Sequence, residues 1–150
     1  MTERVDFYIL KSAAPKQRWA FACRLTEKAY LRNLSIVILN ETMADAQALD
    51  EMLWTFNERS FVPHKLAADE RSLDPKTPVH LILESTPAPS ADLLVNLALR
   101  LPMQMQQYSR IAEIVDADEE RRRLGRERFK AYRELKITLE THQIDETADA

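Results

Sequence analysis

Glycine is nearly absent from this chain of 150 residues, in which Gly125 is the only one. Loops that cradle nucleotide phosphates need several glycines where a strand enters a helix, because the backbone must turn sharply and approach the phosphates closely. The turn after the first strand-like segment is KSAAPKQ. We therefore expect neither a dinucleotide-binding loop nor a P-loop, and no nucleotide cofactor.

Cysteine and histidine are also scarce. Cys23 is the single cysteine, so it cannot form an internal disulfide, and its apolar surroundings AFACRL predict a buried thiol. His64, His80 and His142 lie far apart in the sequence and show no metal-ligand spacing. No pair of carboxylates stands out as an acid and base couple. These absences favour a binding protein without a catalytic site, a metal or another cofactor.

No apolar run approaches the roughly 20 residues of a membrane span, and the first residues, MTERVDFYIL, lack a signal-peptide pattern. We therefore expect a cytoplasmic protein without a membrane partner. The net charge of −3 and the pI of 5.7 argue against a protein that coats nucleic acid through its overall field. A surface that binds anions must therefore be local.

Apolar β-prone runs alternate with segments of helical periodicity, which predicts an α/β fold of Rossmann-like type with a mostly parallel sheet flanked by helices. We predict one domain over residues 1–139 and a polar, frayed tail over 140–150. Residues 57–66, NERSFVPHKL, are predicted to be a strand-like insert in which Phe61 and Val62 lie on an exposed edge or in a short loop strand. Residues 67–77 are expected in a surface loop, and 101–107 could be a loop or a helical turn. Strands are predicted at 5–10, 35–39, 79–83, 93–97 and 110–115, helices at 15–30 and 43–56, and a closing helix after Asp116 or Asp118.

The closing helix is the most distinctive segment, because residues 121–133, RRRLGRERFKAYR, contain six arginines and one lysine. On a helical wheel with about 100° per residue, the apolar residues share one direction, which predicts the packed face. Four of the basic residues and one phenylalanine ring lie on the opposite side of the wheel, which predicts an outward cationic stripe. The predicted packed face consists of Leu124, Ala131 and Leu135, and the predicted stripe consists of Arg122, Arg126, Phe129, Lys130 and Arg133.

The stripe alone allows several interpretations. A run of charges is often only a solvated helix face. A basic stripe that carries Phe129 also suits an acidic partner with an apolar group to insert. Direct binding of single-stranded nucleic acid is the main alternative function, since aromatic rings among bases can stack on nucleobases. One short stripe on an acidic protein should bind such strands weakly and lose affinity with salt.

Several segments, in order, resemble the chi subunit of bacterial DNA polymerase III, a component of the clamp-loader assembly. The matching pieces are DFYIL, ACRLTEKAY, LDEMLWTF with SFVPH, PVHLIL, LLVNLAL, AEIVD and RERFKAYR. They cover roughly residues 5 to 140. The resemblance implies a non-catalytic replisome adaptor that connects the psi subunit, and through it the clamp loader, to the acidic carboxy-terminal tail of single-stranded-DNA-binding protein. Nucleic acid would then be contacted indirectly, and the protein would reach the nucleoid through the replisome.

The same resemblance implies roles for particular residues. Arg126 and Lys130 match basic positions that bind the tail in the family, Arg122 roughly matches another, and Phe129 matches an aromatic one; Arg133 lies on the same stripe. The tail ends in a phenylalanine whose free carboxylate and side chain would both be bound. The family often has tyrosine where this chain has Phe129.

A second surface, for the psi subunit and in some bacteria a helicase, is implied around SFVPH. Phe61 matches a family position there, whereas a tryptophan at the end of an amphipathic helix is more often a core residue. The family often has glycine near Lys136 to end the last helix, and residues 116–124 differ from some members in length and composition. The residues predicted for this second surface are Trp54, Phe61, Val62, Pro63 and His64.

Overall fold

The computed structural model describes residues 1–59, 61–87 and 89–144 and confirms the α/β fold. Seven strands and three α-helices alternate along most of the chain, with short 3-10 turns at Glu70–Ser72 and Met105–Gln107. The strands are β1 (Arg4–Leu10), β2 (Ile36–Asn40), β3 (His64–Ala67), β4 (Val79–Leu83), β5 (Ala91–Asn96), β6 (Tyr108–Val115) and β7 (Thr138–Ile144), and the helices are α1 (Pro15–Leu31), α2 (Met43–Thr55) and α3 (Glu119–Glu134).

All the strands pair in parallel in one sheet of order β3-β4-β2-β5-β6-β1-β7. Both faces of its central strands are buried, as the continuous apolar run of β2 predicts. Ile36 and Ile38 belong to the core beneath α1 and α2, whereas Val37 and Leu39 belong to the core on the α3 side. None of the helices in the described part of the chain is long and apolar enough to cross a bilayer.

The helix boundaries follow from local chemistry. Pro15 occupies the first turn of α1, where a missing backbone N–H costs nothing. The Asp118 carboxylate accepts from the backbone N–H of Arg121 at 2.9 Å and caps α3, which selects one of the two predicted capping residues. Lys136 follows α3 with a φ of 61°, the left-handed conformation for which glycine is the usual residue. Lys136 therefore ends the helix in the conformation that a glycine usually supplies.

The prediction of a frayed tail from residue 140 is wrong for residues 140–144, and residues 145–150 lie outside the described part. Thr138–Ile144 form β7, which pairs with β1 along its whole length at one edge of the sheet. His142 anchors this pairing because its Nε2 atom lies 2.9 Å from Asp6 Oδ1 and its ring stacks on Tyr8. Five of the seven residues of β7 are polar, so a search for apolar runs does not find this edge strand.

Asp6 also receives hydrogen bonds from Arg4 and Arg110, at 2.8 Å and 3.0 Å. Burial alone would raise the pKa of the Asp6 carboxyl, but the bonds from Arg4, His142 and Arg110 outweigh it and lower that pKa. A charged Asp6 therefore links the three strands β6, β1 and β7 at neutral pH.

Candidate functional site

The buried side of α3 is not the predicted one. Gly125, Arg128 and Tyr132 are its buried residues, and they lie at about 40° to 100° on the wheel that places Leu124 at zero. Leu135, predicted to be in the core, is 55% exposed, and Leu124 is only partly buried. The packed face is rotated by roughly 70° from the prediction, because two polar side chains of α3 find a partner inside the protein.

That partner is Glu113 on β6, whose side chain is fully buried. Arg128 Nε donates to its Oε1 atom at 3.0 Å, and the Tyr132 hydroxyl donates to its Oε2 atom at 2.7 Å. Asn96 Nδ2 donates to the same Oε2 atom at 2.9 Å. Burial raises the pKa of Glu113, although Arg128 opposes that shift, and burial beside Glu113 also raises the pKa of Tyr132. This network fixes the rotation of α3 about its axis.

A second ion pair fixes the start of α3. Arg121 donates to both carboxylate oxygens of the buried Asp116, at 2.8 Å and 2.7 Å, and this bond raises the pKa of Arg121. Arg122 turns to the other side and donates to the backbone carbonyls of Asp116 and Leu10, at 3.2 Å and 3.4 Å. Its guanidinium is thereby placed above the carboxyl ends of β6 and β1.

A pocket of about 310 Å³ opens between α3 and the sheet beside these groups. Apolar residues of β1 and β6 line it together with residues of α3 and β7, and two arginines of α3 are among them. A volume near 300 Å³ is at the lower end for ligand pockets and suits one side chain better than a whole peptide. The lining residues are Phe7, Ile9, Val115, Arg122, Gly125, Arg126, Phe129, Thr141 and Gln143.

Phe129 is partly buried in this wall rather than exposed on the stripe. Its ring meets the ring of Phe7 edge to face, with centroids 5.2 Å apart, and packs against the core on the α3 side. The position of the ring is therefore set by the core, and the same ring also lines the pocket. A ring held in this way is a preorganised contact for an apolar group.

The predicted stripe divides into two parts. The pocket brings together Arg122, Arg126 and Phe129, whereas Lys130 and Arg133 are exposed outside the lining. Among the residues that the structure describes, Arg126, Lys130 and Arg133 have no carboxylate within ion-pair distance. Arg123 on the same helix differs, because it pairs with both Glu120 and Glu127.

Thr141 and Gln143 were missed as site residues. Both belong to β7, where they pair with Phe7 and Ile9 of β1. Because alternate residues of a strand point to the same face, their side chains complete the pocket beside Phe7 and Ile9. Their sequence neighbourhood, TLETHQI, is polar and carried no signal for this role; only the pairing with β1 reveals it.

The second predicted surface lies at the opposite edge of the sheet, next to β3. Trp54 and Phe61 are 50% and 64% exposed, and their ring centroids are 5.4 Å apart. Large apolar rings that remain exposed together are typical of interfaces. The core position favoured for Trp54 by its helical context is wrong, since half of this side chain faces solvent.

The other residues predicted for this surface are less exposed than the two rings. Val62 is 1% exposed and belongs to the core beneath α1 and α2, so an exposed Val62 is a wrong prediction. The His64 ring is also buried, with its nitrogens 2.7 Å from the Val62 carbonyl oxygen and 3.1 Å from that of Asp50. Its centroid is 4.3 Å from that of Trp54. Pro63 is partly exposed between them.

The remaining cysteine and histidine have local explanations. Cys23 is fully buried, as predicted, and burial raises the pKa of its thiol to about 12. His80 accepts from the backbone N–H of Asp74 at 3.0 Å and is a hydrogen-bonded sheet residue, also as predicted. No group of three or more His, Cys, Asp or Glu side chains suited to a metal ion occurs within residues 1–59, 61–87 and 89–144.

Comparison with known proteins gives one consistent family. The family model described as DNA polymerase III chi subunit, HolC, matches residues 1–140. A DNA polymerase III subunit chi from Pseudomonas aeruginosa is 38% identical over 141 residues, which cover 94% of this chain and 96% of that protein. The Haemophilus influenzae subunit is 28% identical over 145 residues, covering 96% and 99%. The Escherichia coli subunit is 28% identical over 122 residues, covering 79% and 80%.

Among solved structures, a DEAD box protein from the hyperthermophile Methanococcus jannaschii superposes with a TM-score of 0.57. The two sequences are 13% identical, and the match covers 94% of this chain and 42% of that one. At this identity the similarity concerns the α/β fold alone.

Proposed function

The chain belongs to the DNA polymerase III chi subunit family, and we propose that it acts as a non-catalytic replisome adaptor with two separate docking surfaces. The pocket beside α3 would bind the acidic carboxy-terminal tail of single-stranded-DNA-binding protein. The Trp54–Phe61 surface would bind the psi subunit of the clamp loader or, at the same place, a helicase. The two surfaces lie at opposite edges of the sheet, so both partners have room to bind together.

The observation that carries this proposal is the pairing of an apolar pocket with cations that lack carboxylate partners among the described residues. A peptide that ends in phenylalanine offers an aromatic side chain and a free carboxylate on one residue. The ring would enter the pocket against Phe129 and Val115, and the carboxylate would accept from Arg126 or Arg122. Lys130 and Arg133, further along the helix, would attract the preceding aspartates through longer-range electrostatics.

The tail site is tested by fluorescence anisotropy with a labelled acidic peptide that ends in phenylalanine. Arg126→Ala should weaken binding about fivefold or more, because an ion pair of about 1 kcal/mol is lost at the pocket. Arg123→Ala is the matched control, since it removes the same charge from the same helix outside the pocket lining. We expect the affinity of the Arg123→Ala variant for the peptide to remain within about twofold of that of the parent at physiological ionic strength.

Two further ligands separate the proposed function from its rival. A peptide with alanine in place of the terminal phenylalanine should bind much more weakly, because the pocket remains empty. A fluorescent single-stranded oligonucleotide tests direct nucleic-acid binding through the same cations. Tight oligonucleotide binding with no response to either peptide would overturn the adaptor proposal in favour of nucleic-acid binding.

The psi surface is tested with Phe61→Ala in a pull-down and titration with purified psi subunit. Truncation of this exposed ring should cost about 2 kcal/mol or more of binding free energy, as expected for an aromatic anchor. The affinity for the acidic peptide should not change, because Phe61 lies at the other edge of the sheet. Loss of both activities would show that the substitution damages the fold, and unchanged psi binding would remove Phe61 from the interface.

A further inference from the structure

The outer edge of β7 is a backbone surface next to the pocket. β7 pairs with β1 on one side, and no strand within the described residues pairs with its other side. In a parallel sheet, alternate residues direct their N–H and C=O groups to opposite sides, so an edge strand presents a row of donors and acceptors to a further strand. β7 offers seven residues of such an edge, whereas β3 at the opposite edge has four. It is therefore the longer template for an added strand.

This edge borders the pocket beside α3. Thr141 and Gln143 of β7 line the pocket together with Arg122 and Arg126 from the first half of α3. Only three residues separate the end of α3 from the start of β7, and the two elements pack together, so they run side by side in opposite directions. The pocket therefore lies beside the end of β7, and the second half of α3 lies beside its start.

The cations of α3 continue along the same edge. Lys130 and Arg133 are exposed and have no carboxylate within ion-pair distance among the described residues. With a rise of about 1.5 Å per residue, they lie about 6 and 10 Å along the helix from Arg126. A peptide held by its terminal carboxylate at Arg126 would pass both cations if its preceding residues ran back along β7 to Thr138. It would then be parallel to β7, as β7 is to β1.

The side-chain period of an extended peptide selects the residues that would face α3. Alternate side chains of a strand point to the same side, so the second and fourth residues before the terminal phenylalanine would share its side. At about 3.3 Å per residue, they lie about 7 and 13 Å behind the phenylalanine. These distances are close to those of Lys130 and Arg133 from Arg126. Aspartates at the two positions would therefore meet the cations of α3.

The other face of β7 does not favour acidic side chains. Thr141 lines the pocket, so its neighbour Glu140 lies on the opposite face, where it pairs in register with Asp6. Arg4 and Arg110 on that side are already paired with Asp6. Aspartates at the first and third residues before the phenylalanine would point to this side and meet the Glu140 carboxylate.

We propose that the acidic peptide adds to the outer edge of β7 as a parallel strand, with alternate aspartates against Lys130 and Arg133. Addition of a peptide strand to a sheet edge is a general recognition mode, in which backbone hydrogen bonds supply affinity and alternate side chains supply specificity. The proposal rests on the proposed function and specifies its partner as an extended peptide whose aspartates recur every second residue.

Two labelled peptides of equal composition test the alternation. SDSDSF has its aspartates at the second and fourth residues before the phenylalanine, and SSDSDF has them at the first and third. Fluorescence anisotropy at low salt should show about fivefold or more tighter binding of SDSDSF, because ion pairs with α3 replace repulsion by Glu140. The variant K130A/R133A should bring the two affinities within about twofold of each other. The control R32A/R123A changes the net charge equally and should keep the difference.

The backbone pairing is tested by amide hydrogen exchange followed by NMR. The β7 amides that exchange fastest in the free protein are those directed away from β1, and saturating SDSDSF should slow them about tenfold or more. The amides of β3 at the opposite edge are the control and should not change. Equal affinity for the two peptides without slower exchange in β7 would overturn the added strand and leave capture of the terminal residue alone. Absence of binding by both peptides would instead mean that the proposed function fails.

Discussion

Arg126 and Arg128 lie two residues apart on α3 and have opposite surroundings. Arg128 is 5% exposed and donates to the buried Glu113 carboxylate, whereas Arg126 lines the pocket beside α3 without a carboxylate partner among the described residues. The helix that carries them is thus structural on one face and available for binding on the other. The number of arginines in a helix therefore does not predict their roles. The role of each arginine depends on the side chains of the neighbouring strands.

The two faces differ in energetic terms as well. A buried ion pair stabilises little compared with an apolar pair of the same shape, but removal of one partner leaves a buried charge that water cannot reach. An exposed cation is solvated, and its loss barely affects folding. Substitutions on the two faces should therefore separate effects on stability from effects on binding.

The largest effect is expected from Arg128→Ala, which should lower the free energy of unfolding by about 3–5 kcal/mol because Glu113 loses its charged partner. Urea denaturation followed by circular dichroism measures this change, and Arg126→Ala should stay within about 0.5 kcal/mol of the parent. Equal destabilisation by both single arginine variants would contradict the division of the helix into two faces.

A smaller effect is expected from Tyr132→Phe, which removes only the hydroxyl that donates to Glu113. We expect a loss of about 1–2 kcal/mol in the same denaturation experiment, since Arg128 and Asn96 still satisfy the carboxylate. Tyr30→Phe serves as the control, because Tyr30 has no side-chain hydrogen bond within the described residues. If both variants are as stable as the parent, the hydroxyl contributes nothing to the network.

The smallest effect is expected from Leu124→Asp. The helical wheel alone placed Leu124 in the core, where a carboxylate would unfold the domain, but the structure leaves this side chain partly exposed beside the packed face. The expected loss is below about 1 kcal/mol, mostly from the lower helix propensity of aspartate. A folded variant with a cooperative urea transition would agree with the packed face that the structure shows for α3. An unfolded variant would mean that Leu124 belongs to the core, as the helical wheel predicted.

Much of the fold was predictable from local patterns. The apolar runs of β2 and β4 predicted buried strands, and Pro15 and Asp118 marked helix starts. Two things escaped. The strand β7 is polar and exists through its pairing with β1, and the burial of Arg128 and Tyr132 depends on Glu113, which is 15 residues or more away in sequence.

The candidate site was predictable in part for the same reason. The spacing of Arg122, Arg126 and Phe129 placed them on one side of α3, and the structure gathers these three around a single pocket. Thr141 and Gln143 could not be identified, because their contribution requires the strand register. At the second surface, the apolar residues of SFVPH do not show from sequence alone that Phe61 is exposed and Val62 is buried.

The sequence by itself determined which segments form strands and helices, and it concentrated basic residues in one helix, because hydrophobic periodicity, capping residues and charge are local properties. Only the tertiary structure decided which arginines are buried and which remain free to bind. That choice depends on the rotation of α3 about its axis, and the rotation is set by a buried carboxylate on β6 and by the close approach of Gly125 to Val115, where a Cβ atom would lie 3.0 Å from a valine methyl. Such contacts join positions distant in sequence, so no local pattern contains them.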